Sequence, residues 1–105
     1  MIYQVEFTFS KLGLSRFISH LDLIRLFGRA LRRAELPFAV SEGFSKHPKI
    51  VIKRALKLGM TSENEEAKIA LSEYMKPEEF KERFQKQLPE GIKITALQEI
   101  NLKGC

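Results

Sequence analysis

From Tyr3 to Phe9 the chain alternates: Tyr3, Val5, Phe7 and Phe9 fall on one side, Gln4, Glu6 and Thr8 on the other. A period of two predicts a half-buried strand over residues 2–10. Lys11–Leu14 contains Gly13 and turns the chain. The period then changes to that of a helix. Placed at about 100° per residue, Leu23, Ile24, Phe27, Ala30, Leu31 and Ala34 form one face, and Asp22, Arg25, Arg29, Arg32 and Arg33 the opposite one. Ser19 is the expected N-cap, with Asp22 at the third helical position near the positive end of the dipole. Leu36-Pro37 ends the helix, because the residue before proline is driven out of helical geometry.

Further along, Phe38–Ser41 suits a short strand, followed by a loop over Glu42–Pro48. Ile50–Lys57 and Glu66–Glu73 predict two strands joined around Gly59. Pro77 suits the first turn of a second helix, whose Phe80, Phe84 and Leu88 recur at i, i+4 and i+8. Pro89-Glu90-Gly91 stops that helix, and Ile92–Ile100 is the last strand. Two helices separated by a hairpin, with strands at both ends, predict an α+β fold. The expected architecture is a ferredoxin-like two-layer sandwich, two helices on a mainly antiparallel sheet, with one extra short strand near residue 40. Residues 1–105 are read as a single domain, compatible with the N-terminal portion of a longer protein.

Composition adds one distinction. Charged residues make up 30% of the chain and hydrophobic ones 44%, so it is globular rather than disordered. The net charge of +5 is unevenly spread. Residues 1–57 hold eleven Lys/Arg against four Asp/Glu, whereas residues 58–105 hold seven against nine. Such asymmetry is the footprint of an anionic partner. No apolar run is long enough to span a bilayer, the opening MIYQVEFTFS is not expected to be a signal peptide, and Cys105 is the only cysteine. The expected location is the cytoplasm.

The candidate chemistry is that of binding. Four guanidinium groups at Arg25, Arg29, Arg32 and Arg33 repel one another and do nothing for the fold by themselves, yet their planar forks suit phosphate. Lys49, Lys53 and Lys57 recur at i, i+4 and i+8 in an expected strand and would share one sheet face. The loop SEGFSKHPKI offers Phe44 for stacking on a base and Lys46, His47 and Lys49 for phosphate. The first strand's polar face lacks the aromatic platform of a stacking RNA-recognition motif. His20 and His47 stand apart in sequence, with Asp22 the nearest carboxylate, and form a thin catalytic set. Cysteine clusters, metal-ligand spacings and glycine-rich phosphate loops are missing, so no cofactor is expected.

RFISHLDLIRLFGRALRRAELP resembles the signature of the radical-SAM-linked protein family, a bacterial domain of unknown function. GFSKHPKI is similar to that family's G-F-x-P-H-P-x-I, and Leu58-Gly59, Ser62 and LPEGIKI match as well. Lys46 and Lys57 stand where the family usually has proline. The resemblance implies association with a radical-SAM enzyme, as a fused tail or a companion, with the radical chemistry belonging to that partner. Sequence and resemblance together suggest a non-catalytic accessory domain. It would bind RNA, or an RNA-containing particle, through Arg25, Arg29, Arg32, Arg33, Phe44, Lys46, His47 and Lys49. One alternative is a small endoribonuclease or other hydrolase using His20, Asp22 and His47. Another is a protein-docking module for an acidic partner.

Overall fold

The computed structural model describes residues 2–40, 47–54 and 56–103. Strand β1 (Ile2–Lys11) leads through a 3-10 turn (Gly13–Phe17) into helix α1 (His20–Arg33). Then follow β2 (Ile50–Ile52), β3 (Ser62–Leu71), α2 (Pro77–Gln85) and β4 (Ile92–Lys103). The sheet order is β2-β3-β1-β4, and every neighbouring pair is antiparallel. With both helices on one face, this is the ferredoxin-like sandwich expected from the element order. Among the described residues, no helix is long and apolar enough to cross a membrane.

The alternation of β1 decides what is inside. Val5, Phe7 and Phe9 are buried, together with Ala67, Ile69 and Leu71 of β3 and Ile92, Ile94 and Ile100 of β4. From the helices come Leu23, Phe27, Ala30 and Leu31, and Phe80 and Phe84. The aromatic rings interlock: Phe27 sits 5.3 Å from Phe9 and 5.5 Å from Phe84, and Phe7 lies 5.9 Å from Phe84. Edge-on and tilted contacts of this kind suit the quadrupoles of the rings.

The helix ends follow local chemistry. The Asp22 N–H donates to Ser19 Oγ at 3.1 Å, so Ser19 caps α1 as its sequence position suggests. At the other end Glu35 takes a left-handed φ of 54°, and its N–H and that of Leu36 return to the carbonyls of Arg32 and Leu31. That is a Schellman closure with glutamate in the position glycine usually fills. Arg83 of α2 reinforces it by donating to the carbonyls of Ala34 and Glu35. Gly91 is required for a different reason. Its φ is 96°, and a Cβ there would lie 2.4 Å from the Leu12 carbonyl oxygen.

Several element boundaries differ from expectation. The strand expected over Ile50–Lys57 covers Ile50–Ile52, and its pairing with β3 ends where the Lys53 N–H donates to the Glu66 carbonyl. Its partner runs Ser62–Leu71 rather than Glu66–Glu73. Its first half is polar, and Glu65 alone of those residues points inward, which hides the alternation. The extra segment expected near residue 40 is present and, among the described residues, pairs through isolated bridges, Phe38 to Leu71 and Val40 to Pro48.

Candidate nucleic-acid interface

All four arginines of the α1 stripe are exposed, and at 100° per residue they fall within roughly a 100° arc. Arg25 reaches Asp22 at 3.3 Å, an exposed pair that neutralises one charge weakly. Arg32 leans over the Phe38 ring, its guanidinium carbon 5.8 Å from the centroid. Arg29 and Arg33 make no ion pair with any described residue. The stripe is therefore a field of three uncompensated cations and one partly compensated one.

Gly28 joins this helix to the basic loop. A Cβ placed there would lie 3.8 Å from Pro48 Cγ and 3.8 Å from Arg32 Nη1, so Pro48 packs against the helix beside the stripe. Sequence reasoning passed over this glycine. Its only signal was a small residue at the border between the apolar and basic faces. His47 and Lys49, both exposed, flank Pro48 and line a cleft of about 650 Å³ with Ile24, Val51 and Lys68. Phe44 and Lys46 lie outside the described residues.

The expected lysine row does not form. Lys49 and Lys53 flank a three-residue strand, and Lys57 lies beyond it in the turn that Met60 closes by donating to the Lys57 carbonyl. Lys53 pairs with Glu66 at 3.4 Å, so of the two lysines flanking the strand it is Lys49, next to Pro48, that adds to the basic surface. On the open face of the sheet, Lys68 lies 3.6 Å from Glu6 and Thr8 bonds Thr95 at 2.9 Å. That face is polar and locally balanced.

A family model matches residues 4–104. The chain belongs to that family, described as an uncharacterized protein conserved in bacteria (DUF2344). No curated protein and no solved structure matches the chain.

In this family member His20 is half-buried in the first turn of α1, and His47 lines the cleft beside Lys49, to which α1 contributes Ile24, one turn beyond His20. Among the described residues, no group of three or more His, Cys, Asp or Glu side chains is placed to hold a metal ion.

One charged cluster escaped sequence reasoning. Lys11 and Glu65 are both buried at the end of the sheet. Lys11 Nζ donates to the Ile18 carbonyl, which ties the linker before α1 to β1. Arg54 grips Glu65 with Nη2 at 2.7 Å and Nε at 3.1 Å, and Ser62 donates from 2.7 Å. Burial pushes the Glu65 carboxyl up, but the bonds from Arg54 and Ser62 and the nearby cations outweigh it and hold the group below its ordinary value. Burial lowers the Lys11 ammonium, with Glu65 opposing in part. These charges hold the fold together and are spoken for.

Proposed function

We propose that this domain is a non-catalytic, cytoplasmic accessory that binds RNA, or an RNA-containing particle, and presents it to a radical-SAM enzyme. One observation carries the RNA part: α1 exposes four guanidinium groups on one face, and Arg29 and Arg33 have no carboxylate partner among the described residues. Arginine forks suit phosphate oxygens, and a phosphate backbone relieves their mutual repulsion. Lys49 and His47 extend the contact across Pro48. Support for the radical-SAM partner comes from the resemblance of the α1 and loop motifs to the radical-SAM-linked proteins.

The test is binding of labelled structured RNA over a salt series. The triple variant Arg25→Gln, Arg29→Gln, Arg32→Gln should lower the log–log salt slope by roughly 0.7–0.9 for each phosphate that is no longer neutralised. Wild-type affinity and slope in that variant would rule out phosphate binding by α1. Cleavage of the RNA by the purified chain, abolished by His47→Ala or His20→Ala, would replace the accessory reading with the nuclease. Binding confined to acidic proteins would replace it with docking.

A further inference from the structure

The α1 stripe has two borders, and only one of them meets the basic loop. On the side of Arg29 and Arg33, α1 faces the residues that follow α2. Between them lies a cleft of about 370 Å³, lined by Leu26, Arg29 and Arg33 from α1 and by Lys86, Leu88 and Pro89. Among the described residues lining it, three are cations and none carries a carboxylate. Lys86 reaches Glu82 at 3.5 Å on its own helix, but both side chains are about 70% exposed, so the pair is weak and easily exchanged. Leu26 and Leu88, both half-buried, line the cleft beside these cations.

Resting on the RNA-binding reading above, we infer that the RNA contact continues past α1 into this cleft, where Lys86, beside Arg29 and Arg33, holds one further backbone phosphate. The footprint is then a band running across the helix layer. It passes from Lys49 beside Pro48, over Arg32, Arg25 and Arg29, to Arg33 and Lys86. Lys86 lies in the chain's net-acidic half and outside every basic cluster visible in the sequence. A helix stripe binding alone has no use for it. Lys81, exposed on α2 and outside the cleft lining, provides the control.

The experiment measures binding of one labelled structured RNA to wild type, Lys86→Gln, Lys81→Gln and Arg29→Gln over a fourfold salt range. Thermal melts confirm that each variant is folded. Lys86→Gln should lower the log–log slope by roughly 0.7–0.9, so that wild type loses about threefold more affinity than the variant across the range. Lys81→Gln should match wild type. If Lys86→Gln matches wild type while Arg29→Gln weakens binding, the cleft site is wrong and the α1 reading survives. Equal weakening in Lys86→Gln and Lys81→Gln would also overturn the cleft, since it signals net charge alone. If Arg29→Gln behaves as wild type too, or wild type binds no RNA, both readings fall.

Discussion

The two helices lie side by side on one sheet face and bury the same kind of residue, yet their outer faces are built differently. On α2, Glu78, Glu79 and Glu82 alternate with Lys81, Arg83 and Lys86, and two pairs close at i, i+4: Arg83 with Glu79 at 3.4 Å and Lys86 with Glu82 at 3.5 Å. On α1, four arginines share one face with one aspartate. Like charges at i, i+4, such as Arg25 with Arg29 and Arg29 with Arg33, each cost about 0.2–0.5 kcal/mol. A solvated helix has no need of that cost, because α2 meets the same requirement with balanced charge. Arg32 and Arg33 suit the negative end of the helix dipole, but the fold does not explain the charge at Arg25 and Arg29, which a polyanionic partner, as proposed, would.

If the helices differ only outside, they must be equivalent inside, and the largest effects test that. Phe27→Ala and Phe84→Ala should each destabilise the domain by about 3–5 kcal/mol, since both rings are fully buried and touch each other. Urea denaturation gives the values. A loss below about 1 kcal/mol at one site only would show that one helix is peripheral, and the contrast between outer faces would lose its basis.

A paired arginine elsewhere sharpens the contrast. Glu65→Gln should cost about 3 kcal/mol, the low end for breaking a buried pair, because Arg54 remains two-thirds exposed and solvated. Its pH dependence has a definite sign. Glu65 is held below the unfolded carboxyl's 4.5, so between the two values the unfolded state binds more protons and stability rises with pH. The advantage of wild type over Glu65→Gln is full above the unfolded value and shrinks as pH falls through the folded one. Lys11, lowered by burial, adds a rise in stability on the alkaline side, as pH climbs from its folded value toward 10.5. A wild-type advantage that stays constant through acid titration would mean that Arg54 does not hold Glu65 ionised. Removing the Arg29 guanidinium, which lies between Arg25 and Arg33 with no ion pair to a described residue, should instead leave stability unchanged or slightly improved.

What the sequence made legible followed from periodicity. The alternation of β1 and the 3.6-residue pattern of α1 each put apolar residues on one side, and those elements stand where expected to within a residue or two. The arginine stripe was legible for the same reason, being local to one helix. Pairings across the hairpin were not. Arg54 and Glu65 are eleven residues apart, Arg54 beyond the end of β2 and Glu65 in the half of β3 where polar residues mask the alternation. Lys53 and Lys57 therefore passed for members of a row, when one pairs with Glu66 and the other lies beyond the strand. Lys86 was hidden by distance of another kind, since only the packing of α2 beside α1 places it near Arg33.

The smallest effects concern the helix starts, where α1 and α2 again differ. Ser19 enters α1 with extended backbone, φ −67° and ψ 162°, and its hydroxyl accepts from the Asp22 N–H. Lys76 enters α2 with nearly the same backbone, φ −69° and ψ 138°, but no side-chain bond caps that end. Geometry is therefore already correct for a cap at Lys76, and only the acceptor is missing. Ser19→Ala should lower stability by about 0.5–2 kcal/mol. Lys76→Asp should raise it by about 0.5–1 kcal/mol, through an accepted backbone N–H and the exchange of a positive for a negative charge at the helix's positive end. The gain stays small because Glu78 and Glu79 already occupy the first turn and repel a third carboxylate. Denaturation midpoints at low and high salt separate the two contributions, since salt screens the charge part and leaves the hydrogen bond. A midpoint for Lys76→Asp at or below wild type at both salt levels would mean that repulsion in the first turn outweighs the cap.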